Sequence, residues 1–377
     1  MTRWSAARRA GVFAASFATW CLALAPVVDG VRPDVAQTRA GLSAALDGPL
    51  AESPEERARN PEWALMADLF SVLAWSNAAL ADPSRTEAAL ERIDRTLAAT
   101  LQLEAEQGQF ALLLPYARSG RFRDPAGRSL FVDGEVAMML AARLALAPDP
   151  AMEAELRRRV SWIETSMGRG PVRSAESYPD ECWTFCNTTA LAALLLADRV
   201  LQTDHRPLAD AWVAAAKRHL VDPSTGLLVS SYTWDGTVLD GPEGSSIFMA
   251  AHNLLLIDPD FARAQYDAAH DQLARDALGF AWAREWPSGT PWRMDVDSGI
   301  VVPLLDASPG ASGLALLGAA AFEDEDTRDA LLRSMELAAV PTEGPGGARW
   351  YAAAGRIGNA VAAYAFHFGP LWAGGMA

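Results

Sequence analysis

The sequence predicts an all-α protein, an (α/α)6 toroid in which inner and outer helices alternate. Three observations lead there. Ala/Leu-rich helical segments recur along the chain with almost no alternating strand pattern. These segments are apolar nearly all round, as helices buried on every side are. Each is followed by a short acidic or proline turn and then by an amphipathic, charged helix, a repeat of helix pairs that points to a closed or stacked architecture.

The elements follow in chain order. The first residues, MTRWSAARRAGVFAASFATWCLALAPVVDG, combine an Arg-rich start, an uncharged apolar stretch from Ala10 to Val28 and a small-x-small site at Ala23-Leu24-Ala25. That is the grammar of a secretory signal peptide. The stretch is also just long enough to span a bilayer. Residues 1–28 therefore read as a signal peptide or an N-terminal membrane anchor, and the protein as exported to the periplasm or beyond the cell. Residues 34–377 read as one (α/α)6 catalytic domain. A helix near residues 34–47 serves as the outer partner of the last inner helix.

The first five inner helices carry FSVLAWSNAALA, EVAMMLAARLAL, TTALAALLLADRVL, SSIFMAAHNLLL and ASGLALLGAAAF. A sixth, 357-IGNAVAAYAFHFG-369, closes the chain. The turns after the first five begin near Asp82-Pro83, Asp149-Pro150, Asp204, Asp258-Pro259 and Asp324, spaced 67, 55, 54 and 66 residues apart. Asp caps a helix N-terminus and proline fits its first position, so these turns stop one helix and start the next.

Composition narrows the function. With 377 residues, half of them hydrophobic, the chain can bury a large core without disulfides. Its net charge of -15 excludes nucleic acid, which needs a basic surface to release counterions. Cys21 belongs to the apolar N-terminal stretch, which leaves Cys182 and Cys186, too few for a disulfide framework. The five histidines form no HxxxH or CxxC grouping, so no metal site is expected. There is no GxSxG elbow and no phosphate-cradling loop, and 117-ARSGRFRDPAGRS-129 reads as a basic surface loop.

In a toroid the loops entering the inner helices open at one end. Acids, aromatics and glycines concentrate there, in 131-FVDGE-135, 177-SYPDECWTFCN-187, 232-YTWDGTVLDGPEGS-245, 292-WRMDVDSGIVVPLLDASPGAS-312 and 349-RWYAAAGR-356. They would converge on one cup. Glu135 lies just inside an apolar helix, where an unpaired carboxylate is costly and burial raises its pKa, the usual preparation of a general acid. Asp180 serves equally as an acid-base group or as a favourable charge at the next helix's positive end. Asp295 and Asp297 are either stabilisers of positive charge or Asx-turn residues. Cys182 and Cys186 are either a chemical feature or core.

The stretch from 177 to 261 resembles the linalool dehydratase/isomerase family. The similar residues are Pro179-Asp180, Cys186-Asn187, Asp198-Arg199, Thr203-Asp204, Ala211-Trp212, 220-LVDPSTGLLVSSY-232 and 258-DPDF-261, with a fainter match from Asp124-Pro125 to Glu135. The resemblance implies an exported (α/α)6 enzyme, a homo-oligomer, which binds a tertiary allylic alcohol in an apolar cavity. It implies proton transfer by a cysteine pair, a histidine and an early aspartate and tyrosine, with no cofactor. Cys186 matches the second cysteine, Ser177 stands in the place of the first, and Glu135 in the place of the histidine. The early aspartate and tyrosine have no counterpart, since no tyrosine precedes Tyr116.

The expectation is thus a cofactor-independent lyase or isomerase acting by acid-base catalysis on a small apolar, terpenoid-like alcohol or alkene. Glu135 gives the proton, Asp180 or Cys186 exchanges it, and Asp295 and Asp297 stabilise positive charge. Ser177, Tyr178, Cys182, Trp183, Asp133, Tyr232 and Trp292 surround the substrate. Two rivals share the fold: a glycoside hydrolase or polysaccharide lyase using two carboxylates, and a binding scaffold without turnover.

Overall fold

The computed structural model describes residues 6–30, 34–47, 54–290 and 299–373, and these are mostly helical. An N-terminal helix α1 (Ala6–Gly30) is followed by α2 (Val35–Asp47) and the short α3 (Pro54–Arg59). Then come α4 (Pro61–Ala81), α5 (Thr86–Gln107), α6 (Leu130–Leu144), α7 (Pro150–Arg169), α8 (Thr184–Leu201) and α9 (Arg206–His219). The series ends with α10 (Gly244–Ile257), α11 (Pro259–Leu273), α12 (Pro309–Ala321), α13 (Glu325–Ala338) and α14 (Gly355–His367).

Burial sorts these helices as composition requires. In α4, α6, α8 and α10 nearly every residue is buried, whereas α5, α7, α9, α11 and α13 bury one face only. Each apolar helix packs on the next, α4 on α6, α6 on α8, α8 on α10, α10 on α12 and α12 on α14, and α14 returns to α4. Outside them, α5 lies on α4 and α6, α7 on α6, α11 on α10, α13 on α12, and α2 on α14. Two of the apolar helices, α4 and α8, are long and hydropathic enough to cross a membrane, but both are buried within the fold. In α1, by contrast, Val12, Phe13, Phe17, Trp20 and Leu22 stand exposed.

The expected turn chemistry is present. Asp149, Asp258 and Asp324 cap α7, α11 and α13 through backbone N–H groups, with proline at the start of α7 and α11. Asn60 caps α4 in the same way, accepting from the Trp63 N–H at 3.0 Å. At Asp204 the helix starts two residues later, at Arg206, whose N–H donates to the Asp204 carboxylate at 3.0 Å.

Short hairpins sit where no strand pattern is legible in the sequence. β1 (Cys182–Trp183), β2 (Ser231–Tyr232) and β3 (Val238–Asp240) form an antiparallel sheet in which Cys182 faces Tyr232 and Trp183 faces Ser231. β4 (Ala274–Ala277) pairs with β5 (Phe280–Ala283), and β6 (Pro341–Glu343) with β7 (Arg349–Tyr351). Runs of two to four residues are too short to display alternation.

The starts of the apolar helices are tied together by backbone hydrogen bonds. The Leu130 N–H donates to the Glu176 carbonyl (2.8 Å), Thr184 to Ser230 (2.9 Å), and Gly244 to Glu285 (2.7 Å). Each bond joins the beginning of one apolar helix to the segment leading into the next, so these N-terminal ends share one end of the fold. Two glycines permit the close approach. A Cβ on Gly134 would stand 3.2 Å from the Ala190 Cβ of α8, and one on Gly244 would collide with the Arg284 carbonyl oxygen and lie 2.9 Å from the Ala311 Cβ. Gly244→Ala should therefore cost about 1–3 kcal/mol, as overpacking does, measured as a lower denaturation midpoint. Unchanged stability would mean that the junction of α10 with the β5 segment is looser than described.

Candidate active site

Buried acids at this end are mostly satisfied. Glu176 accepts from the N–H groups of Arg123 (2.9 Å), Asp124 (2.7 Å) and Asp180 (2.7 Å). Glu285 accepts from the Ser245 and Ser308 hydroxyls, joining the starts of α10 and α12. Asp68 of α4 takes Arg57 at 3.0 Å on one oxygen and Arg356 of α14 on the other.

Glu135 is the exception. It lies on α6 beyond the first turn, 1% exposed, and neither carboxyl oxygen has a hydrogen-bond partner. Burial, and secondarily the charge of Glu62, push its pKa well above the ordinary carboxyl value. Both effects disfavour its ionised form.

The Cys186 thiol, on the first turn of α8, is also buried and pushed up, by burial first and then by Glu62 and Glu135. The Ser177 hydroxyl lies beside it and partly offsets the shift, without a hydrogen bond of good geometry to any group. Tyr178 is buried, with its ring stacked on Tyr116 at 4.5 Å and its hydroxyl accepting the Leu114 N–H at 3.0 Å. Burial, followed by the Glu62 charge, pushes the phenol pKa up. The charge of Glu62 on α4 acts on Glu135, on Cys186 of α8 and on Tyr178 of the segment before β1, and Ser177 lies beside the thiol.

Other expected residues lie elsewhere. Asp133, expected at the substrate, is turned into an ion cluster with Arg128 (2.5 Å) and Arg159 (2.8 Å), which also hold Glu104. Arg128 stacks over Trp162 at 3.7 Å, so this end of the arginine-rich loop is built into the fold instead of lying on the surface. Asp180, expected to exchange protons, is paired with the exposed Arg123 at 2.9 Å, its backbone at a φ of 59°. Cys182 is fully buried in β1, and its thiol is pushed up by burial, then by Glu176, Asp180 and Cys186. Tyr232 bonds Ser174 at 2.8 Å behind that strand, and Trp183 directs its indole N–H to Glu181 at 3.5 Å. Trp292, Asp295 and Asp297 lie outside the described residues.

Two acids were not singled out from the sequence. Glu62 follows Asn60-Pro61, a context already explained as a helix start. Glu243 precedes α10, beside Ser230, Trp286 and Glu285, and burial, then Glu285 and Asp240, push its pKa up to about 8. Both could be sought as the acids nearest an apolar helix start.

Residues 156–357, more than half the chain, match the linalool dehydratase/isomerase family. The chain belongs to that family. The matched span of this linalool dehydratase/isomerase family member runs from α7 into α14 and includes Ser177, Tyr178 and Cys186, while Glu62 and Glu135 precede it. Among solved structures, a possible member of the GH105 family from Salmonella enterica serovar Paratyphi A is similar in fold. It has a TM-score of 0.50 and 14% identity, over 81% of this chain and 82% of that one. A GH76 α-mannanase from Bacteroides thetaiotaomicron aligns with a TM-score of 0.44 and 11% identity, over 80% of this chain and 84% of that one.

The Glu135 environment has a measurable consequence. A carboxyl whose folded pKa is raised contributes stability in full below its ordinary value of 4.5, and that contribution is lost as pH rises through the folded value. Glu135→Gln removes the loss. The stability of the variant relative to wild type, from urea denaturation, should rise steadily with pH above about 4.5. A pH-independent difference would show that Glu135 titrates normally.

Proposed function

We propose that the protein is an exported, cofactor-independent lyase/isomerase acting by general acid-base catalysis on a small apolar, terpenoid-like alcohol or alkene, within an (α/α)6 toroid. The observation that carries this reading is the Glu135 carboxyl, buried and unpartnered, beside the Cys186 thiol in a member of this family. A buried polar group without a partner costs stability, and an alcohol hydroxyl bound there would satisfy it. The Ser177 hydroxyl, also buried and unpartnered, offers the same alcohol a second hydrogen bond.

The toroid reading is supported by the return of α14 to α4 and by the shared end of the apolar helices. The apolar substrate is supported by what lies next along those helices. Beyond Glu135 come Met138 and Met139, beyond Cys186 comes Ala190, and beyond Ser246 come Met249 and Ala250, all buried. Export is supported by α1, whose exposed Phe13, Phe17 and Trp20 are unfavourable in water and suit either removal or a bilayer.

In dehydration, Glu135 protonates the leaving hydroxyl, and the C–O bond breaks with its electron pair departing on water. A neighbouring carbon then loses a proton to the Glu135 carboxylate left by that step, and the C–H pair becomes the double bond. Hydration is the reverse, and isomerisation returns the hydroxyl at another carbon.

Purified, reduced protein incubated in deuterated water with terpenols and alkenes should give product or carbon-bound deuterium, detected by gas chromatography with mass spectrometry. Glu135→Gln should lower the rate by about 10²–10⁴, the usual worth of a general acid. Folded protein that labels nothing in the panel yet cleaves oligosaccharides would transfer the assignment to carbohydrate chemistry.

A further inference from the structure

A second group of buried polar side chains lacks partners at this end of the fold. The Ser230 and Ser246 hydroxyls and the Trp286 indole N–H belong to residues that are 0%, 4% and 5% exposed, and none has a hydrogen-bond partner among the described residues. Buried donors left unpaired are rare because each is costly. Backbone bonds gather these three. The Ser230 N–H donates to the Gly241 carbonyl (3.1 Å), the Gly244 N–H to the carbonyl of Glu285, next to Trp286 (2.7 Å), and the Ser246 N–H to the Glu243 carbonyl (3.0 Å). Glu243, half-buried just before α10, has Ser230 and Trp286 beside its carboxyl and Ser246 on the first turn of the helix it precedes.

The other acids here are engaged: Glu285 accepts from the Ser245 and Ser308 hydroxyls, and Asp240 from the Ser231 hydroxyl at 2.6 Å. Trp286 also lines a cavity of about 460 Å³ with Arg284, Pro303 and Asp306, so the cluster has a side that the chain does not fill. The donor set selects what could enter. An indole N–H only donates, so an ammonium offers it nothing to bond. A carboxylate or phosphate would meet the Glu243 carboxyl, with Glu285 and Asp240 behind it. A hydroxyl accepts from the donors and donates to the carboxyl, and suits both.

The cluster adjoins the site already described. The Thr184 N–H donates to the Ser230 carbonyl at 2.9 Å, which fixes Ser230 against the start of α8, two residues before Cys186. α8 and α10 pack on each other, and packed helices lie about 8–10 Å apart. One small molecule can span that distance. We infer that Ser230, Ser246, Trp286 and Glu243 form a hydroxyl-binding subsite, and that the ligand is a small apolar molecule with two oxygen functions, one held here and the other at Glu135 and Cys186. The two-ended ligand rests on the acid-base reading proposed above; the subsite does not.

The test is isothermal titration calorimetry of the full-length protein with monoterpene mono-ols and with diols of the same skeleton that carry a second hydroxyl at the far end. An added hydroxyl weakens binding to a purely apolar cavity. Here it should tighten binding by about 2–12-fold, the worth of one net hydrogen bond. Trp286→Phe, which keeps the ring, and Ser230→Ala should each reduce that preference and leave mono-ol affinity unchanged. If either variant fails to fold by circular dichroism, Ser246→Ala provides the same comparison. A diol that binds no tighter than its mono-ol overturns the subsite, as does a preference that survives these substitutions. Diol preference without turnover of any alcohol would overturn the acid-base reading and the two-ended ligand, and would support the subsite alone.

Discussion

A helix without a polar face has to be surrounded, and that constraint organises this protein. Six such helices surround one another by packing in sequence and closing on the first, while the amphipathic helices between them cover the outside. The backbone bonds from Leu130 to Glu176, Thr184 to Ser230 and Gly244 to Glu285 bring several N-terminal ends to one side. Glycine and alanine at the α6–α8 contact let Glu135 and Cys186 come within each other's field.

The cost of this arrangement is uneven. Asp68, Asp133, Glu176 and Glu285 are buried, and each is repaid by arginines, backbone N–H groups or hydroxyls. Glu135 has no such return. An unsatisfied buried group costs about 1–3 kcal/mol, a sizeable share of a total of about 5–15 kcal/mol for a typical protein. It persists because α6 is fixed from its other side: Asp133, two residues earlier, anchors the helix through Arg128 and Arg159 of the loop and α7. Stabilising contacts on one face of the helix thus hold a destabilising group on the other.

The sequence reveals the fold more readily than the site, for physical reasons. Inner and outer helices differ in composition, and the Asp-Pro turns mark their ends, so both could be read directly. The hairpins could not, because two paired residues carry no period. Glu135 stood out as an acid in an apolar run. Asp133, expected at the substrate, lies two residues earlier, and two residues on a helix differ by about 200° and point to opposite sides. Which side faces the site depends on the arginines of another segment. Glu62 was masked by its own context, since Asn-Pro-Glu is already a complete helix-start signal. The family match, confined to residues 156–357, includes Cys186 but neither glutamate.

Glu62 and Glu135, which interact electrostatically, are distinguished by the backbone. Glu62 occupies the first turn of α4, where the unpaired N–H groups and helix dipole favour a negative charge. Glu135 lies past the first turn of α6, where that effect has fallen away, and receives no hydrogen bond in its place. Burial therefore acts unopposed on the residue that the backbone does not compensate, which is why the Glu135 carboxyl is pushed up.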